Sequence, residues 1–141
     1  MNVLETEWWT MALPPEWWAE AEGDSILVGD RDHVGCIEIS TLKRESGDFS
    51  DTEVERIARE DAADDALFAP ATLGDFAGFT GNYEEDGTAV REWCVANGGL
   101  LLFITYSCDS DNRGMDDAAV DELLDTLLLV PAGVRDGAAS D

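Results

Sequence analysis

Apolar, β-branched and aromatic positions crowd both sides of a glycine pair in the stretch Thr88–Cys108, TAVREWCVANGGLLLFITYSC, and Leu100–Ile104 is apolar without alternation. The stretch reads as two strands folded back through Asn97-Gly98-Gly99, dipeptides that accept the positive φ of a tight hairpin turn. Either two-residue loop preserves the faces. One face carries Arg91, Trp93, Val95, Leu100, Leu102, Ile104 and Tyr106; the other carries Val90, Glu92, Cys94, Ala96, Leu101, Phe103 and Thr105. Both are largely apolar, the pattern of a strand pair covered on both sides.

Other elements follow from the same reading. Leu4 to Leu13 alternates as a first strand, ended by Pro14-Pro15, and Glu16-Trp17-Trp18 begins a short turn or helical segment. Ser25–Gly29 and Val34–Leu42 form a second hairpin, so that the chain begins with a small antiparallel sheet. Ser50 and Glu53 match a capping box opening a helix with Val54, Ile57 and Ala58 inward, fading near Asp64-Asp65. Leu67–Leu73 and Phe76–Tyr83 continue as a meander into the central hairpin. Val120, Leu123, Leu124, Leu127 and Leu128 recur at helical spacing behind Asp116 and Asp117, which suit the positive end of a helix dipole. Pro131 and Gly133 stop that helix. Residues 1–130 are expected to be one α+β domain, with six to seven antiparallel strands flanked by helices, and 131–141 a disordered acidic tail.

Composition changes the picture in one respect. The 141 residues contain 32 Asp and Glu against 8 Lys and Arg, a formal charge of −24. With 45% hydrophobic residues and five Trp, the acidity is a solvated coat over an ordinary core rather than a sign of disorder. Without a Lys/Arg cluster, nucleic-acid backbones and anionic membranes are poor partners, and a basic protein is the expected one. Cys36, Cys94 and Cys108 show no CxxC spacing, so neither a disulfide framework nor a zinc site is expected. No basic-then-apolar leader opens the sequence, and no 18-residue apolar run occurs in it; the expectation is a soluble, cytoplasmic protein.

Candidate chemistry is sparse. Asp109 to Gly114 resembles the start of a calcium loop, but the fifth position is Arg113 and the twelfth Val120, where a carboxylate is required. Asp30, Asp32 and His33 lack a fourth metal ligand. His33 and Cys36 could serve as base and thiol only if the turn bent them together, because an odd spacing sends strand side chains to opposite faces. No metal or cofactor is expected. Four of the five Trp lie within the first eighteen residues, where each pair fits one ring in the core and one half-covered; the alternative is an aromatic platform. Trp8, Trp17, Trp18, Arg91 and Trp93 are the candidate binding residues, with Arg91 placed to stack on Trp93 or Tyr106. A small-ligand pocket between sheet and helix, lined by Trp9, Trp17 or Trp93, is the alternative reading, and a Cys/His hydrolase a further one.

Leu13-Pro14-Pro15-Glu16-Trp17 is similar to the strand-Pro-x-x-Trp opening of PsbP-like chains, and the element order resembles their α/β/α sandwich, shared with DcrB-like bacterial proteins. That resemblance implies a non-enzymatic binding, assembly or accessory role. A single acidic domain without a catalytic constellation makes a specialised chaperone or an antagonist of a basic partner the expected form of it.

Overall fold

The central hairpin forms with the expected faces. In the computed structural model, which describes residues 2–23, 25–30, 34–60 and 68–130, β8 (Thr88–Asn97) and β9 (Leu100–Asp109) pair through a Gly98-Gly99 turn. Trp93 lies opposite Ile104, and Val95 opposite Leu102. β5 (Gly35–Lys43) joins the other side of β9, and β7 (Phe76–Glu85) the other side of β8. With β3 (Trp17–Glu22), β4 (Ser25–Asp30) and β6 (Ala69–Leu73), the result is a seven-stranded antiparallel sheet in the order β3-β4-β5-β9-β8-β7-β6.

The sheet is buried from both sides, and alternation sorts its residues into two cores. Cys94 and Leu101 meet Val54 and Ala58 of α1 (Asp51–Glu60), with Phe79 and Phe103 packed beside them. Trp93, Val95, Leu102 and Ile104 point the other way. They join Ile37, Ile39 and Val28 against Val120, Leu123 and Leu124 of α2 (Asp117–Leu124). Each fully buried Leu or Ile contributes about 1.5–3 kcal/mol of transfer free energy. The fold is therefore α+β: the described residues include two α-helices, and most of them lie in antiparallel sheet.

The second face is shared with a sheet that the sequence pattern does not announce. Leu4–Leu13 is two strands, not one: β1 (Asn2–Glu5) and β2 (Trp9–Leu13) fold back on each other. The cause is Thr6, whose Oγ1 accepts from the Trp8 and Trp9 amides and donates to the Trp9 carbonyl. β10 (Leu128–Leu129) completes the three-stranded sheet in the order β1-β2-β10. The hairpin expected from Ser25–Gly29 and Val34–Leu42 forms as β4 and β5, and it lies inside the large sheet. Glu16-Trp17-Trp18 opens no helix. The Trp17 amide donates to the Pro14 carbonyl, closing a turn, and Trp17 starts β3.

The final helix also stops earlier than its apolar spacing suggests. Thr126 donates through both N and Oγ1 to the Leu123 carbonyl, ending α2, and Leu128 is 52% exposed on β10. The chain is then captured by the β6–β7 turn. Asp75 N donates to the Leu127 carbonyl, and Asp75 Oδ2 accepts from Leu129 N.

The capping box at α1 is intact. Glu53 N donates to Ser50 Oγ at 3.2 Å, while Ser50 N donates back to Glu53 Oε1. Arg44 also donates to Glu53, at 2.5 Å, and these bonds hold the carboxyl down to about 2. The connection from β5 is fixed to the hairpin tip by Arg44 N to Gly99 O and Phe49 N to Gly98 O. The expected fade of α1 near Asp64-Asp65, the first residues of the Leu67–Leu73 strand and the tail at 131–141 lie outside the described residues.

Gly74 shows how closely the capture is fitted. It has φ +57°, and a Cβ there would overlap the Leu127 carbonyl oxygen, whereas Gly47, at φ +80°, faces open space. Gly47→Ala should cost about 1 kcal/mol of conformational strain alone, and Gly74→Ala at least about 3 kcal/mol, read from urea unfolding midpoints.

Candidate functional site

Beyond the apolar middle of the hairpin, the face packed against α2 turns polar. Arg91 on β8 lies directly opposite Tyr106 on β9, as their shared face requires, and Asn82 on β7 completes the row. Together with Glu84, Cys108, Arg113 and Asp117 they border a groove of about 570 Å³ between the sheet and the segment leading into α2. A second hollow of about 530 Å³, bordered by Trp93, Thr80, Asp121 and Asp125, continues along α2, and Arg91 stands between the two.

Arg91 is tied down on three sides. Its Nη2 donates to Asp121 Oδ1 at 2.6 Å and its Nη1 to Asp117 Oδ1 at 3.4 Å. Asp117 and Asp121, one helical turn apart on α2, thus present both carboxylates to one guanidinium. The Arg91 Cζ lies 4.6 Å from the Trp93 ring centroid, a cation–π stack on the same strand face. Across the groove, Arg113, 70% exposed, pairs with Glu84.

Tyr106 forms the groove floor. Its ring lies across Gly35, where a Cβ would overlap it, and its hydroxyl donates to Asp116 Oδ2 at 2.8 Å. Burial foremost, then the hydrogen bond to Asp116 and that carboxylate's charge, pushes the phenol well above its ordinary 10. Burial also raises the Cys108 thiol, an effect only partly offset by a bond from Tyr106. On the opposite sheet face, Tyr83 is raised by burial and by the nearby Glu92, a carboxylate only 5% exposed.

The five candidate binding residues do not converge. Arg91 and Trp93 meet at the groove, although Trp93 is 2% exposed and so cannot present its ring as a platform. Trp8 lies toward the hairpin-tip end, half-buried under the Lys43 ammonium at 4.3 Å. Trp17 packs against the main core. Trp18 lies over Gly29, with Nε1 donating to the Asp30 carbonyl. Trp9, a suggested pocket wall, is fully buried; its Nε1 donates to Thr41 Oγ1 at 3.0 Å. Of the suggested pocket walls Trp9, Trp17 and Trp93, only Trp93 borders one of the two hollows beside α2.

His33 lies outside the described residues, and the Cys36 thiol is raised by burial and by Glu38 and Glu22, against a lowering bond from Val28. The calcium-like run ends β9 and enters a 3₁₀ turn (Ser110–Asn112), with Arg113 paired to Glu84. Among the described residues, no three His, Cys, Asp or Glu side chains gather as a metal-binding group, and no helix is long and apolar enough to cross a membrane. The sequence does not single out Asp117 and Asp121 as partners of Arg91; their i, i+4 spacing shows only that they share a helix face.

No protein-family model matches the chain, and no curated protein is similar to it by sequence. Solved structures are similar in fold. A protein of Bacteroides thetaiotaomicron superposes with a TM-score of 0.66 at 20% identity, over 89% of this chain. The chain spans about half of that protein, 46% of its length. LpqN of Mycobacterium tuberculosis, involved in cell envelope biogenesis, matches with a TM-score of 0.58 at 16% identity, over 87% of this chain and 83% of LpqN. The cyanobacterial PsbP of Synechocystis matches at 0.57 and 11% identity, over 88% of each chain. The architecture is PsbP-like, as the sequence resemblance indicated; at these identities the likeness concerns the fold alone.

Tyr106 gives a pH signature with a definite sign. A phenol raised on folding stabilises the protein fully below about pH 10, the unfolded value, and that contribution is lost as pH climbs above it. Tyr106→Phe should lose about 1 kcal/mol at pH 7 with the Asp116 hydrogen bond. It should also decline less steeply than the parent between pH 9 and pH 11 in urea-unfolding midpoints.

Proposed function

We propose that this chain is a non-enzymatic binding or accessory module whose groove beside α2 receives a cationic side chain from a basic partner protein. One observation carries the reading: the two arginines of the groove are already neutralised. Arg91 pairs with Asp117 and Asp121, Arg113 pairs with Glu84, and Asp116 accepts from Tyr106, so carboxylates remain in excess where a ligand would enter. An anion would meet those carboxylates under the field of a chain carrying −24. A Lys or Arg head would be drawn in.

The exchange is inexpensive. The Arg113–Glu84 pair is at the surface, where such pairs are worth about 0–1 kcal/mol, so an incoming guanidinium replaces Arg113 at Glu84 with little loss. Encounter is hastened by the acidic coat and slows as salt screens it. A specialised chaperone or an antagonist of a basic protein would act in this way. A cytoplasmic setting belongs to the proposal, since all three cysteines are free thiols, as a reducing compartment keeps them. A small amine-bearing ligand is the second reading, favoured by a groove volume within the usual range of small-molecule sites.

Capture from the source lysate tests the proposal, comparing the parent with a Glu84→Gln/Asp117→Asn variant at about 50 mM and about 500 mM salt. A basic protein should be retained at low salt, fall at least about tenfold at high salt, and fall several-fold with the variant. Equal retention by parent and variant would remove the groove from the reading, and retention of nothing at either salt would remove the protein partner.

A further inference from the structure

Among the described residues, the seven-stranded sheet ends at β3, which pairs there only with β4. In an antiparallel pair every second residue of the outer strand directs its N–H and C=O away from its neighbour, so β3 presents a row of backbone groups to the outside. Other free edges are less suited to pairing. β6 contains Pro70, which has no N–H to donate; β1 has four residues and β10 two. β3 has six residues and no proline.

Its large side chains are also turned away from the edge. Trp17 packs into the core on one face, and Trp18 lies flat over Gly29 on the other, its Cζ2 2.7 Å from where a glycine Cβ would stand. The remaining flank is small or acidic. Ala19 and Ala21 follow Trp17 on the core face, and Glu20 and Glu22 follow Trp18. Natural edges are commonly blocked by lysine, which repels most strands through charge and desolvation. Here the blocking charges are carboxylates, and what they repel is specific. A second copy pairing antiparallel about Glu20 or Ala21 would set Glu20 against its own copy or against Glu22, a like-charge opposition. A strand with cations at those positions would be attracted.

We propose that the outer edge of β3 is a strand-addition site for an extended segment of a partner protein, alternating Lys or Arg with small apolar residues. The cations lie against Glu20 and Glu22, and the apolar residues beside Ala19 and Ala21. Backbone hydrogen bonds supply affinity and the alternation supplies specificity. This surface is separate from the groove beside α2 and shares with that reading only the positive charge of the partner.

The test uses the full chain and a capped eight-residue peptide alternating lysine with valine, against a peptide of the same composition with its lysines and valines in two blocks. The expected result is at least about tenfold slower hydrogen exchange at every second β3 amide with the alternating peptide and no slowing with the block peptide. Glu20→Lys/Glu22→Lys should abolish that binding and create binding for an alternating glutamate–valine peptide, a reversal that simple loss of folding cannot produce. The inference is overturned if the alternating peptide leaves β3 exchange unchanged, whether it fails to bind or protects the α2 groove instead. It is also overturned if charge reversal leaves the affinity intact. Protection confined to the groove would sink the β3 site while leaving the groove reading standing; lysate capture judges the groove separately.

Discussion

Every layer of this protein depends on the β8–β9 ladder being apolar on both faces. A two-faced strand pair cannot be satisfied by one covering layer, because strand alternation sends Cys94 and Leu101 one way and Trp93, Val95, Leu102 and Ile104 the other. One face recruits α1. The other is too broad for the two-turn α2 alone, and Trp9 and Met11 of β2 cover the remainder. The three-stranded sheet is thus a packing requirement of the hairpin rather than an appendage, and the sandwich is asymmetric: helix on one side, helix and sheet on the other.

The same ladder explains where the polar chemistry sits. Its rows run from the glycine turn, past a dry middle, to Arg91 and Tyr106 near the open end, where α2 begins. There the N-terminal carboxylates of α2 meet the last side chains of the buried face, and Arg91 both stacks on the core Trp93 and reaches solvent-side acids. Its aliphatic stem and its charge serve different environments. In a chain so rich in acid, each described groove arginine is already held by carboxylates. That leaves positive charge as the quantity the surface lacks.

What the sequence makes legible is what is local. The Gly98-Gly99 hairpin, its two faces, the Ser50/Glu53 capping box and the Val120/Leu123/Leu124 stripe of α2 each depend on residues within a few positions of one another, and each forms as read. The Arg91–Trp93 stack was visible for the same reason, two residues apart on one strand. The remainder depends on partners far along the chain. Leu127 and Leu128 fit a helix by spacing, yet Thr126 ends the helix before them and the Asp75 turn holds Leu128 and Leu129 as a strand. Trp17 and Trp18 resemble a helical start until Gly29 provides a bare surface for the second ring. Asp117 and Asp121 carry no sign that their counter-ion is on β8, because a carboxylate among 32 acidic residues looks like every other.

The pairing of β10 with β2 has a consequence for how the molecule comes together. Leu129 lies beside Trp9, joining segments from nearly opposite ends of the described chain. Such a long loop is slow to close, while the hairpins of the large sheet close over short distances. During synthesis the large sheet can assemble strand by strand as it emerges, but Trp9 must wait for Leu128 and Leu129 before its small sheet is complete. Until then the main core lacks its outer cover. Completion of the core is therefore timed by the two residues of β10, which arrive after every other described strand.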